Sequence, residues 1–159
     1  KQVIDVTRPN VSFEQMTIDV YNSRVYLAGK HTWEPITLNL REDVNNNVQK
    51  LVGEQLQKQF DFYEQSSAAS GQDYKFVTRI EILDGGNGAN TPTVLETFEL
   101  YGCYCESANY NSLAYSNSTD PVSVTLNIRY DNALQSPNGT GIGTAVGRTT
   151  NTAVTGGGT

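Results

Sequence analysis

The stretch DVNNNVQKLVGEQLQKQFDFYEQSS, residues 43–67, decides the fold class, because it is the one clear helical pattern in a chain that otherwise alternates like β-strands. Its large apolar side chains recur at spacings of three and four residues, which places them on one side of a helix. This apolar stripe consists of Val48, Leu51, Val52, Leu56, Phe60 and Tyr63. The sequence therefore predicts one amphipathic helix over about residues 43–66, with the stripe packed as a lid on a β core.

Alternating apolar and polar side chains predict β-strands on both sides of this helix. In chain order the predicted strands are residues 16–29, a hairpin that turns at Asn22 and Ser23, and then 32–40, 74–83, 93–106 and 122–130. Gly102 is expected to mark a bulge or bend in the segment 93–106. The predicted fold is mainly β (α+β), a small antiparallel β-barrel or sandwich with one flanking amphipathic helix.

The end of the chain has a different composition. Gly and Thr dominate from residue 134 onward, and large apolar side chains are nearly absent. Such a segment buries too little surface to offset the entropy that it loses on ordering. The predicted organisation is one domain over residues 1–133 and a low-complexity tail over residues 134–159.

The overall charge argues against one class of function. The chain has 11 Lys and Arg against 17 Asp and Glu, a net charge of −6, and no basic cluster. Nucleic-acid binders carry a basic face that pairs with phosphates, so tight binding of DNA or RNA is not expected. Like charge does allow a surface along which DNA slides without sticking. No apolar run is long enough for a transmembrane helix, and no membrane partner is predicted.

Few residues suggest catalysis or metal binding. Cys103 and Cys105 lie two positions apart on one strand, a spacing that disfavours a disulfide, and they are predicted to be free, half-buried thiols. His31 is the only histidine and has no nucleophile motif beside it, which argues against a catalytic triad. Gly85 to Gly88 lack the helix and the Lys-Ser/Thr of a phosphate loop. The sequence predicts a protein that is not an enzyme and that has no cofactor and no metal site.

The aromatic-rich segment of residues 101–115 allows a competing interpretation. Tyr101, Tyr104, Tyr110 and Tyr115 could stack on sugar rings, as in a monomeric carbohydrate-binding β-sandwich. The same side chains suit a packed strand surface or a subunit interface. Assembly is the preferred interpretation, because strands with two mixed faces would leave open edges in a monomer, and pairing between copies removes those edges.

Two blocks of sequence resemble the tail tube proteins of contractile-tail bacteriophages, a family that includes tube-initiator relatives. The first block, residues 8–43, contains the hairpin turn Asn22-Ser23-Arg24, the step Ala28-Gly29-Lys30, a Trp-bearing strand over 33–40 and the charged turn Arg41-Glu42-Asp43 before the helix. The second block runs from Leu100-Tyr101-Gly102 through a polar bend to an alternating strand that ends at Tyr130. The family usually has a further N-terminal strand, so a segment is expected to be missing before Lys1.

This resemblance implies a structural virion protein, a tail tube subunit. Six copies would form a ring, rings would stack into a tube, and the lumen would conduct DNA during ejection without specific binding. The implied partners are other copies of the chain, the tail sheath, and baseplate or terminator proteins. The implied location is the phage tail, assembled in the host cytoplasm. Tubes of secretion systems and of tailocins share this architecture and are alternatives within the same class.

Two sets of residues are expected to mediate the assembly. The glycine-rich loop after the strand 74–83 is a candidate contact between stacked rings, through Asp84, Gly85, Gly86, Asn87 and Gly88. The apolar stripe of the helix is expected to close one flank of the subunit's barrel and to help form the junction with its ring neighbour.

Overall fold

A computed structural model describes residues 2–116, 119–135 and 142–143 of the chain. Its helical elements are α1 (Asn47–Gln59) and one 3₁₀ turn (Gly71–Asp73). In chain order the strands are β1 (Val3–Val6), β2 (Val11–Val20), β3 (Ser23–Trp33), β4 (Ile36–Arg41), β5 (Phe60–Asp61), β6 (Ser66–Ser67), β7 (Phe76–Leu83), β8 (Val94–Asn109), β9 (Ser123–Arg129) and β10 (Asn132–Gln135). The predicted class, mainly β with one flanking helix, is confirmed, since an antiparallel sheet curls into a half-barrel.

Six strands form the main sheet in the order β1-β4-β9-β8-β10, with β7 on the other side of β8. The long strand β8 bends the sheet, because its first half pairs with β7 and β10 and its second half pairs with β9. Within the described part of the chain, β1 pairs only with β4 and β7 pairs only with β8. The half-barrel therefore has an open strand edge at each end.

Gly102 allows β8 to bend where its pairing changes. The register of β8 against β7 shifts between Leu100 and Cys103, and Gly102 has a φ of +67°. An L side chain would be strained there, and it would also collide with the carboxylate of Asp131. Lys75 holds that carboxylate at 2.7 Å. The predicted bulge at Gly102 is confirmed.

The strands fill the core in the alternating pattern that the sequence predicts. Half-buried and exposed residues alternate along the whole of β7, and buried and half-buried residues alternate along β9. The buried hydrophobic residues are Trp33, Ile36, Val48, Val52, Phe98, Leu100, Cys103, Cys105, Val124, Leu126, Ile128, Tyr130 and Ala133. Both cysteines are free, as predicted. Burial raises the pKa of each of the two thiols.

The helix is shorter than the sequence predicts. It covers Asn47–Gln59 instead of residues 43–66. Asn46 directly before it has a left-handed backbone, with φ 54° and ψ 30°, and Phe60 directly after it is extended, with φ −151° and ψ 127°. Neither backbone conformation continues an α-helix.

A local turn replaces the last predicted turns of the helix. The carboxylate of Asp61 accepts hydrogen bonds from the backbone N–H groups of Tyr63 at 2.9 Å and Glu64 at 3.2 Å. These bonds offer the backbone an alternative to the helical pattern, and they hold the pKa of Asp61 below its usual value. β5 and β6 pair across this turn as a short hairpin.

The six-residue apolar stripe is consequently not one continuous helix face. Val48 and Val52 are buried, and Leu56 packs against the same core. Leu51 is 64% exposed, although it lies on the helix. Phe60 belongs to β5. Tyr63 lies in the turn beyond β5 and is 94% exposed.

Two strand boundaries also differ from the prediction. The hairpin is confirmed, but it turns at Tyr21 and Asn22, one residue earlier than expected, since Ser23 already pairs with Val20. The strand predicted over residues 32–40 is divided into the end of β3 and β4. Pro35 lies at this break, where it is not required to donate a backbone hydrogen bond.

The two ends of the chain add further detail. β1 precedes the hairpin in a region where the sequence predicts no strand. The predicted domain boundary after residue 133 falls inside β10, which extends to Gln135 and pairs with β8. Most of the tail predicted over residues 134–159 lies outside the described residues.

Candidate assembly interface

The hairpin of β2 and β3 stands apart from the half-barrel as a separate two-stranded sheet. A β-bulge on β3 divides this sheet into two segments. Phe13 pairs with His31 and Gln15 pairs with Ala28, so β3 has one more residue than β2 between these two pairs. At the bulge the backbones come close, because a Cβ on Gly29 would lie 3.0 Å from the carbonyl oxygen of Glu14. Glycine permits this approach.

The root of the hairpin packs on the core through one face. Val11 packs against the core, and Trp33 contacts Tyr130 with ring centroids 5.8 Å apart. Phe13 and His31 extend this aromatic row, with centroid distances of 6.3 Å from Phe13 to His31 and from His31 to Trp33. Burial raises the pKa of Tyr130 to about 12. These root residues share one face of the hairpin, and through Val11 and Trp33 that face packs on the core of the chain.

Beyond the bulge the apolar side chains lie on the opposite face. Paired residues share a face of a sheet, and the pairs Met16–Leu27 and Ile18–Val25 lie together with Val20. We call this surface the apolar hairpin face; its members are Met16, Ile18, Val20, Val25 and Leu27. Each of the five is between 43% and 52% exposed.

The reverse side of the same segment is polar. Gln15, Thr17 and Tyr26 lie there with Asp19 and Arg24, whose side chains form an ion pair at 3.0 Å. The apolar side chains of β2 therefore change from odd positions at the root to even positions beyond Glu14. The apolar hairpin face therefore lies on the opposite side of the hairpin from the root face that packs on the core.

A second unfilled apolar surface lies in the half-barrel. A cavity of about 490 Å³ opens beneath α1, between the edge strands β1 and β7. Its lining residues come from the helix and from the inner face of the sheet: Gln2, Val3, Leu38, Leu40, Val48, Leu51, Val52, Gln55, Phe76, Thr78, Cys105, Leu126 and Ile128. One chain thus carries an unpartnered apolar hairpin and an open apolar cavity.

Solved structures with a similar fold include chains from contractile injection systems. A chain of the extracellular PVC sheath–tube complex in its extended state matches with a TM-score of 0.62 at 16% identity, covering 84% of this chain and 80% of that chain. A chain of the PVC sheath/tube terminator matches with a TM-score of 0.62 at 13% identity, covering 85% of each chain. A chain of the anti-feeding prophage baseplate gives a TM-score of 0.60 at 12% identity, with 82% and 77% covered.

The chain has the fold of contractile injection system proteins. The resemblance to contractile-tail tube proteins that the sequence suggests is confirmed at the level of the fold. No family model and no curated protein sequence matches the chain.

The loop that begins at Asp84, which the sequence predicts to contact a neighbouring ring, is held together at its two ends by hydrogen bonds. The carboxylate of Asp84 accepts hydrogen bonds from the backbone N–H of Gly86 at 3.2 Å, and from the N–H and hydroxyl of Thr93 at 2.8 and 2.6 Å. These bonds lower the pKa of Asp84. The side-chain oxygen of Asn87 accepts hydrogen bonds from the backbone N–H groups of Ala89 and Asn90. A Cβ added to Gly85 or Gly88 would meet open space. The five candidate residues thus form one exposed loop, closed by Asp84 and Thr93.

Gln59 at the end of α1 is a contact that the sequence did not reveal. Its side-chain amide donates to the carbonyl of Cys105 at 2.9 Å and accepts from the N–H of Cys105 at 2.8 Å. The amide therefore acts as a one-residue strand on the side of β8 that faces the helix. Gln55, one turn earlier, donates to the carbonyl of Tyr74 at 2.7 Å. Nothing in the sequence distinguishes these glutamines from the exposed Gln57.

The four tyrosines proposed as a sugar platform lie in different environments. The hydroxyl of Tyr101 donates to Glu99 at 2.5 Å, and Tyr104 contacts the ring of Tyr74 edge-on at 6.4 Å. Tyr110 and Tyr115 are exposed and line a surface cavity of about 500 Å³. Tyr110 and Tyr115 are thus close enough to line one cavity together.

The described residues also limit other kinds of site. No group of three or more His, Cys, Asp or Glu side chains among them is arranged to hold a metal ion. No helix in this part of the chain is long and apolar enough to cross a membrane.

Proposed function

We propose that this chain is a structural tube subunit of a contractile particle, a bacteriophage tail or a related injection system, in which six copies form a ring and rings stack. The observation that carries the proposal is the apolar hairpin face, whose five side chains are each 43–52% exposed and do not belong to the described core. The fold of chains from sheath–tube and terminator assemblies supports the same assignment. This role requires no catalysis and no cofactor.

A second copy of the chain has the surface that the hairpin lacks. The apolar hairpin face of one subunit would pack over the mouth of the cavity beneath α1 in the next, beside Leu51. A hairpin strand would pair with the open edge of β1 or β7 and so extend the neighbour's sheet. Because the two patches differ, the contact is heterologous, and identical copies joined in this way close a ring or grow a filament.

The energy of such a contact is sufficient for assembly once the ring closes. Full burial of a large apolar side chain contributes about 1.5–3 kcal/mol, so each half-exposed member of the apolar hairpin face would add roughly 1 kcal/mol. Association costs several kcal/mol in translational and rotational freedom. Closure of a ring adds one more contact without a further cost of this kind. A closed ring is therefore favoured over an open dimer.

The other predicted sites find roles in the same arrangement. The loop from Asp84 to Gly88 is proposed to contact the next ring, and Leu51 is proposed to lie at the junction between ring neighbours. The sheath would cover the outside, and baseplate or terminator proteins would meet the ends of the tube. A net charge of −6 would let DNA pass through the lumen without being held.

The test is the assembly state of the purified chain. Native mass spectrometry and negative-stain electron microscopy over a range of protein concentrations should show rings of six copies, and tubes at the highest concentrations. A chain that stays monomeric throughout the range would overturn the proposal. Emission of the tyrosines that responds to added sugars would then favour the carbohydrate-binding alternative.

A further inference from the structure

The tip of the hairpin combines exposure with an unfavourable backbone. Tyr21 is the first of the two turn residues between Val20 and Ser23, and its φ is 48°. Turns of this length favour Gly, Asn or Asp at positions with positive φ. A bulky aromatic residue there is an outlier that weakens the isolated hairpin.

No contact within the subunit compensates for this conformation. The side chain of Tyr21 is fully exposed, and the hairpin beyond the bulge forms its own two-stranded sheet. A large ring held in water at the end of a strained turn therefore gains nothing from the monomer. Tyrosine is among the residues that most often dominate binding energy at protein interfaces, since it buries a large rigid area and a hydroxyl together.

The surroundings of the tip indicate the kind of partner. Tyr21 directly follows Val20, the last member of the apolar hairpin face on β2, and lies at the tip of the hairpin. The nearest charges, Asp19 and Arg24, neutralise each other in an ion pair. The tip therefore suits an uncharged protein pocket better than a nucleic acid or a charged surface.

From these observations we propose that Tyr21 is the anchor by which the hairpin of one copy is held on a second copy of the chain. The inference rests on the proposed assembly and goes beyond it. In this proposal, Tyr21 lowers the stability of the turn in the free subunit and raises the affinity between subunits.

The proposal predicts opposite effects of one substitution on two quantities. Tyr21→Asn places a residue that tolerates positive φ in the turn, so the free subunit should melt several degrees higher. The same change removes the anchor, so the concentration needed for assembly should rise at least tenfold. The melting temperature is compared between Ile18→Asp, a variant designed to stay monomeric, and the double variant Ile18→Asp/Tyr21→Asn.

Two controls separate binding from folding. Tyr21→Phe keeps the ring and the strain and should assemble within about threefold of the unmodified chain. Tyr115→Asn removes an equally exposed tyrosine from a loop elsewhere and should leave assembly unchanged. Unaltered assembly of Tyr21→Asn, or a lower melting temperature in the monomeric background, would overturn the role of Tyr21. Absence of any assembly by the unmodified chain would instead overturn the proposed tube.

Discussion

At the scale of single residues, Gln59 shows how one side chain can complete a sheet. Its amide satisfies both backbone groups of Cys105, just beyond Cys103, the last residue of β8 that pairs with β7. Gln59→Ala should therefore lower the free energy of unfolding by about 1–3 kcal/mol, the cost of leaving partly buried hydrogen-bonding groups without partners. Urea unfolding below the concentration at which copies assemble measures this loss.

The neighbouring Gln57 supplies the control for this prediction. Its amide bonds only to the exposed carboxylate of Asp61, at 2.8 Å, so Gln57→Ala should change the unfolding free energy by no more than about 0.5 kcal/mol. Equal effects of the two substitutions would mean that the strand-like contact of Gln59 adds nothing to stability.

A second prediction at the scale of residues compares Gly102 and Gly53. Substitution by Ala should lower the stability of the protein at Gly102 and raise it at Gly53. Gly102→Ala introduces a Cβ at φ +67° and against Asp131, which should cost more than about 2 kcal/mol through strain and a displaced ion pair. Gly53→Ala, in the interior of α1 with open space around the new Cβ, should stabilise the subunit by up to about 1 kcal/mol. Thermal melting of both variants decides the matter, and a stable Gly102→Ala protein would contradict the account of the bend in β8.

At the scale of elements, the hairpin is the segment whose two faces can be tested against each other. Ile18→Asp places a charge in the middle of the apolar hairpin face, while Thr17→Asp places the same charge on the polar side of the same strand. Burial of an unpaired carboxylate costs several kcal/mol, so Ile18→Asp should raise the assembly concentration at least 100-fold, equivalent to about 2.8 kcal/mol. Sedimentation velocity should find Ile18→Asp monomeric and Thr17→Asp assembled. The same weak effect in both variants would remove the apolar hairpin face from the interface.

The elements that the sequence predicted are those whose side chains alternate against one core. The strands β7 and β9 follow this rule, and the sequence predicts the ends of each to within two residues. The helix was predicted too long because Phe60 and Tyr63 continue its spacing, whereas Asp61 captures the backbone donors that another turn would need. A periodic pattern shows which residues are apolar. It does not show which side chains form hydrogen bonds that compete with those of the helix backbone.

The candidate interface was only partly visible in the sequence for a related reason. The apolar residues of β2 change from odd to even positions, and this change can be seen in the sequence. What it does to the faces of the hairpin depends on the bulge opposite Glu14, because β2 and β3 remain paired on both sides of that bulge. The role of Gln59 depends on where the helix ends relative to β8. Both features require knowledge of register, which local spacing does not contain.

At the scale of the whole molecule, the subunit is open in two complementary ways. It has a two-stranded sheet without a core, a structure that is only marginally stable in water, and a half-barrel with open edges at β1 and β7. In the proposed assembly, another copy of the chain would supply what each part lacks. An arrangement of this kind is directional, since every subunit would donate one hairpin and accept one.

A head-to-tail contact leads to a prediction that does not follow from a contact in which both copies use the same surface. Ile18→Asp disables the hairpin as a donor and leaves the cavity mouth intact, while Leu51→Asp disables the proposed acceptor and leaves the hairpin intact. Both changes are at exposed positions, so each variant alone should be a folded monomer. Mixed together, they can form only one productive contact, between the hairpin of Leu51→Asp and the cavity mouth of Ile18→Asp. Because a single contact lacks the gain from ring closure, native mass spectrometry should find this 1:1 dimer at protein concentrations above those at which the unmodified chain forms rings. Nothing larger should form, because the remaining donor and acceptor are both disabled. Tubes formed by Leu51→Asp alone would place the acceptor elsewhere, and a mixture without dimers would contradict head-to-tail assembly.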